Sequence, residues 1–111
     1  GCAEYAPVEP PANTGTVFHH PQETIADAAR NALTELGFAI TKESNEYIEA
    51  VHLKPGETVE DNEGELVGVW IKPREGGSVL MLVDTEKRAS GVAKQRDWNQ
   101  DILRKVMQQL P

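Results

Sequence analysis

Residues 24–40 read TIADAARNALTELGFAI. Within this stretch Ile25, Ala28, Ala29, Ala32, Leu33 and Leu36 fall on one continuous helical stripe, with successive steps of three, one, three, one and three residues. Glu23 and Asp27 lie near its start, where the helix dipole favours acids, and Gly37 follows as the expected left-handed cap. The spacing therefore predicts a helix over residues 23–36. Upstream, Thr16-Val17-Phe18-His19 has β character, and Pro21 both ends that segment and suits a first helical turn.

Downstream the period changes to two. Phe38 to Thr41 and Tyr47 to Leu53 read as strands joined at Ser44-Asn45, a hairpin. Pro55-Gly56 and Asn62-Glu63-Gly64 bracket an acidic connection, and two further strands follow, Leu66 to Lys72 and Ser78 to Thr85, separated by a turn from Pro73 to Gly77. Trp98, Ile102, Leu103, Val106 and Leu110 share one face of a closing helix, with Asp97 as its N-cap and Gln100 completing a capping box. The order β-α-β-β-β-β-α lacks the alternation of a parallel doubly wound sheet. It predicts an α+β fold, a mostly antiparallel sheet of four to five strands with two helices on one face.

The chain's 111 residues fit one compact domain, and 39% hydrophobic with 26% charged residues exclude a disordered composition. No apolar run approaches the roughly 20 residues that a membrane-crossing helix needs. A net charge of -7 repels a phosphate backbone, so no nucleic-acid partner is expected. The charge is uneven: residues 1–84 carry five basic and fifteen acidic side chains, residues 85–111 six basic and three acidic. Lys87, Arg88, Lys94 and Arg96 cluster before the last helix, where they suit anionic headgroups, an acidic partner or the chain's own acidic loop.

Cys2 is the sole cysteine, so an intrachain disulfide and a thiolate zinc knuckle are both excluded. The chain opens Gly1-Cys2-Ala3-Glu4 without an initiator Met, which reads as a processed end. This start resembles the N-terminus of bacterial lipoproteins, whose signal peptide ends in a small residue followed by an acylated cysteine. The resemblance implies that Cys2 is the lipid attachment, with Gly1 the last signal residue or a cloning remnant. Residues 5–14, YAPVEPPANT, contain Pro7, Pro10 and Pro11 and read as an extended spacer holding a domain roughly 30 Å from its anchor. The expected organisation is a lipid-anchor and proline-rich linker over residues 1–15 and a single α+β domain over residues 16–111.

No catalytic set, metal site or cofactor is assigned. His19 and His20 with Glu23 hold imidazoles and a carboxylate, but adjacent strand residues point to opposite faces and the spacing fits no zinc pattern. His52 stands alone, and no nucleophile pairs with any histidine by spacing. Residues 57–65, ETVEDNEGE, are rich in oxygen ligands, yet their glycine falls outside the calcium-loop pattern, and they read as a solvated hairpin loop.

The last two strands are apolar on both parities. Two helices cover one set, Val67, Val69, Ile71, Val79, Met81 and Val83, or else the opposite set. Leu66, Trp70, Leu80 and Leu82 are thereby candidates for a protein-partner or homodimer surface, unless the linker or acidic loop folds over them.

The helix, glycine-aromatic turn, strand and hairpin over residues 16–110 are similar to the repeated domains of BamC, the lipoprotein subunit of the outer-membrane β-barrel assembly machinery, although only one such module is present here. With Cys2 and the proline-rich leader, the outline resembles small cell-envelope lipoproteins. That resemblance implies a non-enzymatic, lipid-anchored periplasmic module, protein-binding or structural. Ala3 after Cys2, in place of the Asp linked to inner-membrane retention, implies the outer membrane. Two alternatives stand beside it. One is a small-ligand-binding or enzymatic domain with a pocket between sheet and helices, starting from His19, His20, Glu23 and His52. The other is a secreted inhibitor or immunity-type protein that uses its negative surface to steer a basic target.

Overall fold

The computed structural model describes residues 6–87 and 95–111. Its elements are β1 (Thr16–Phe18), α1 (Gln22–Glu35), β2 (Phe38–Glu43), β3 (Tyr47–His52), β4 (Leu66–Pro73), β5 (Val79–Glu86) and α2 (Asn99–Gln109), with single 3-10 turns at Ala12–Thr14 and Glu75–Gly77. The sheet order is β1-β5-β4-β3-β2, antiparallel throughout. Strands β2 to β5 form the meander expected from the turn residues, and β1 adds itself to the outer edge of β5. The α+β architecture and its element order are as the sequence predicts.

Helix α1 buries its stripe as expected: Ile25, Ala29, Ala32 and Leu33 are fully buried and Ala28 nearly so. Leu36 is the C-cap residue rather than a helical one, and Gly37 follows at φ +89°, the left-handed position that lacks steric penalty only for glycine. The N-terminal end of α1 is pinned to β4 by the Gln22 side chain, which donates to the Ile71 carbonyl at 3.1 Å.

The start of α2 differs by one or two positions from the sequence reading. Trp98 is the N-cap residue and uses no side-chain bond. Asp97 still satisfies an orphan donor, because the Asn99 N–H donates to its Oδ1 at 2.7 Å. The other end of α2 reaches α1, where the Gln109 side chain donates to the Ala28 carbonyl at 3.3 Å.

Both helices lie on one face of the sheet. Val67, Val69, Ile71, Val79 and Met81 join Ile48, Ala50, Phe18 and Phe38 beneath them, with Ile102 and Val106 of α2 in the same core. The register therefore turns the first of the two expected parity sets inward, with Val83 partly buried against that core. Among the described residues no helix is long and apolar enough to cross a membrane.

Candidate functional site

The opposite, outer face of the sheet carries the residues singled out as a contact surface. Leu80 and Leu82 are 6% and 1% exposed, so they are not open to a partner as expected. Their cover is the leader. Residues 7–9 and Gly15 of the segment expected to be a spacer lie against the outer face, as in the alternative in which the linker folds back over these leucines.

The contacts are specific. A Cβ on Gly68, in the middle of β4, would stand 2.8 Å from the Pro7 Cβ and 2.9 Å from the Trp70 ring. Only a residue without a side chain lets the leader cross there, which accounts for a glycine inside a strand that otherwise favours large apolar residues. The Val8 N–H donates to Asp84 Oδ2 at 2.9 Å, and Glu9 forms an ion pair with Lys72. At the other end of the leader, a Cβ on Gly15 would meet Leu80 Cδ1 and Leu82 Cδ2 at 2.7 Å. The leader thus runs from β4 across β5 and enters β1 along the β5 edge.

Trp70 and Leu66 remain partly buried. Trp70 packs on Tyr47 with ring centroids 5.0 Å apart. The two rings, Glu9, Glu46, Lys72 and Pro73 line a groove of about 430 Å3 beside the leader. The Tyr47 hydroxyl donates to Glu49 at 2.6 Å. Burial, that hydrogen bond and the charges of Glu49 and Asp84 all push its pKa above the ordinary phenol value, so the phenol stays protonated.

A second cluster closes the far end of the sheet. Trp98 stacks on His52 at 4.5 Å, Phe38 meets both rings edge-on, and the Arg96 guanidinium sits 3.9 Å above the indole. Arg96 also pairs with Asp101, so this member of the expected basic patch is held by its own chain. Glu65 is 5% exposed and not solvated as the loop reading implied. Its Oε2 accepts the Arg96 N–H at 2.8 Å. Burial pushes the Glu65 carboxyl up, but the backbone N–H groups of Arg96 and Glu65, the Trp98 indole and the His52 charge outweigh it and hold it below the ordinary carboxylate value. The Trp98 indole N–H is buried, forms no hydrogen bond among the described residues, and faces the Glu65 carboxylate, whose charged form it favours.

The remaining candidates do not converge. His19 and His20 follow β1 at one edge of the sheet, while His52 ends β3 toward the opposite edge; the register places them at opposite ends of the strands. Glu23 is exposed in the first turn of α1. Among the described residues no group of three or more His, Cys, Asp or Glu side chains could hold a metal ion. In the acidic loop, Glu57 accepts the Lys54 N–H at 2.7 Å and the Glu63 N–H at 3.3 Å, and the first of these bonds is the main reason its carboxyl lies below the ordinary value. Lys87 is exposed; Cys2, Arg88 and Lys94 fall outside the described residues.

Sequence reasoning gives Pro7 only a spacer role and passes over Gly15, Gly68 and Asp84. The available signal was Gly68, the one position in an apolar strand where the pattern leaves room for another chain. A scan of protein-family models gives no match to the chain, and a search of curated proteins gives no significant relative.

Proposed function

We propose that the protein is a non-enzymatic module of the bacterial cell envelope, held through a lipid on Cys2, facing the periplasm from the outer membrane and acting by binding protein or as a structural piece. The observation that carries this reading is the relation of the sole thiol to the docked leader. Ala3 to Ala6 are the only residues between Cys2 and Pro7, and Pro7 is seated on Gly68. A lipid at Cys2 would therefore hold the folded body within about 18 Å of the membrane, by the reach of five extended residue steps. That is nearer than a free spacer of the whole leader would place it.

The clustered side chains support a binding role over a chemical one. Glu65 accepts the Arg96 N–H, the Arg96 guanidinium stacks on Trp98, and His52 lies at the opposite end of the strands from His19 and His20. Of the basic cluster before the last helix, Lys87 is exposed after β5 and is the described member offered to an acidic partner, Arg96 being paired with Asp101.

The test is Cys2→Ser in the full-length precursor, followed by membrane fractionation and labelled-palmitate incorporation. The expected result is loss of label and release into the soluble periplasmic fraction. Membrane association unchanged by the substitution overturns the reading.

A further inference from the structure

The leader behaves toward the outer face as a ligand that is covalently attached. Pro7 crosses β4 at Gly68, Val8 donates to Asp84, and Glu9 pairs with Lys72. Pro7, Pro10 and Pro11 bias the segment toward an extended polyproline conformation, so it reaches the face already ordered, as proline-rich segments do when they dock beside aromatic rings. Here the rings are Trp70 and Tyr47.

Only one turn of 3-10 helix, Ala12–Thr14, joins this segment to β1. It is held by the Thr14 and Gly15 N–H groups donating to the Pro11 and Ala12 carbonyls, and its residues are exposed. None of residues 7–14 belongs to the core under the helices. Straightening that turn carries residues 7–11 away from their own sheet and leaves the inner core intact. A second copy opened in the same way offers an identical face, and reciprocal exchange remakes every contact. It is opposed by the cost of association and by little else.

We propose that the outer face of one copy binds the proline-rich leader, residues 7–11, of a second copy, giving a reciprocally exchanged dimer. The site consists of Gly68, Trp70, Lys72 and Asp84, and the ligand class is an extended proline-rich segment with a carboxylate two residues after its first proline. This deepens the protein-binding part of the proposed function, and it is independent of the lipid on Cys2.

The Glu9–Lys72 pair supplies a specificity test. Both side chains are roughly half exposed, 41% and 48%, so each can be reversed in charge without disturbing the core. In Glu9→Lys alone and in Lys72→Glu alone, like charges oppose each other in every pairing, within a chain or between identical chains. When the two variants are mixed, each leader finds an opposite charge only on the other variant. The full chains are labelled on Cys2, one variant with a donor fluorophore and the other with an acceptor, and the species are counted by native mass spectrometry. Each variant's thermal transition is recorded to establish that it is folded.

The expected result is a mixed dimer several-fold more abundant than the dimer of either variant alone at the same total concentration. Asp84→Ala introduced into both variants is expected to lower that yield, because the Val8 N–H loses its acceptor. Monomers in every sample, or equal dimer fractions in all three, overturn the proposal. No lipid enters the measurement, so its failure leaves the Cys2→Ser fractionation result untouched.

Discussion

On the inner face of the sheet Val67, Val69, Ile71, Val79 and Met81 lie under two helices; on the outer face Leu80 and Leu82 are buried just as deeply under a strip of leader. The two covers differ in how they are made. The helical cover is a second layer with its own apolar stripe, its own backbone hydrogen bonds and polar pins at Gln22 and Gln109. The leader supplies little apolar surface. It is seated by one backbone N–H on Asp84, one ion pair and two close approaches over glycines. A small domain can thus dispense with a third layer, provided that the strand beneath leaves space for another chain.

The contrast is first tested by cutting into each cover. Ile71→Ala, at a fully buried inner position, is expected to cost about 2–5 kcal/mol of unfolding free energy in a denaturant titration. Leu82→Ala on the outer face removes a side chain of equal burial, yet the leader can settle toward the gap, so roughly 1–3 kcal/mol is expected. Equal costs at the two sites would mean that the leader is packed as rigidly as the helices.

Gly68→Val separates cover from core. The added side chain would collide with Pro7 and Trp70, and overpacking of this kind costs about 1–3 kcal/mol. The expected signature is rapid protease cleavage within residues 7–14 of a domain that otherwise stays folded. Unchanged protection of the leader would contradict the crossing at β4.

How much of this was legible follows from the range of the forces involved. Helix α1 and its Gly37 cap are written in neighbours three and four residues apart, and the parity of β4 and β5 named the two faces correctly. Three prolines suit an extended tether whether or not it rests on a surface, so the pattern leaves open both a free spacer and a linker folded over the outer leucines, and does not choose between them. The leader's contacts with Gly68, Lys72 and Asp84 span more than sixty positions, and no local pattern encodes them. The same holds for the stack of Trp98 on His52 and for buried Glu65, which sequence alone placed in a solvated acidic loop.

Glu65 yields the smallest effect. Its carboxyl is held below the ordinary value of 4.5, so the unfolded chain takes up the proton first as pH falls. The stabilisation is present above that value and is lost as pH falls below it toward the folded-state pKa. Glu65→Gln is expected to cost about 1 kcal/mol near neutral pH, the scale of weakening one hydrogen bond to a charged group. It should also flatten the acid limb of the stability curve relative to the unsubstituted chain. An acid limb of the same steepness in both would place that pH dependence elsewhere.

The docking of the leader is tested most directly by nuclear Overhauser measurements on the intact chain. Cross-peaks are expected from Pro7 to Gly68 and the Trp70 ring, and from Gly15 to the methyl groups of Leu80 and Leu82. Random-coil chemical shifts over residues 7–14 with none of these cross-peaks would contradict it.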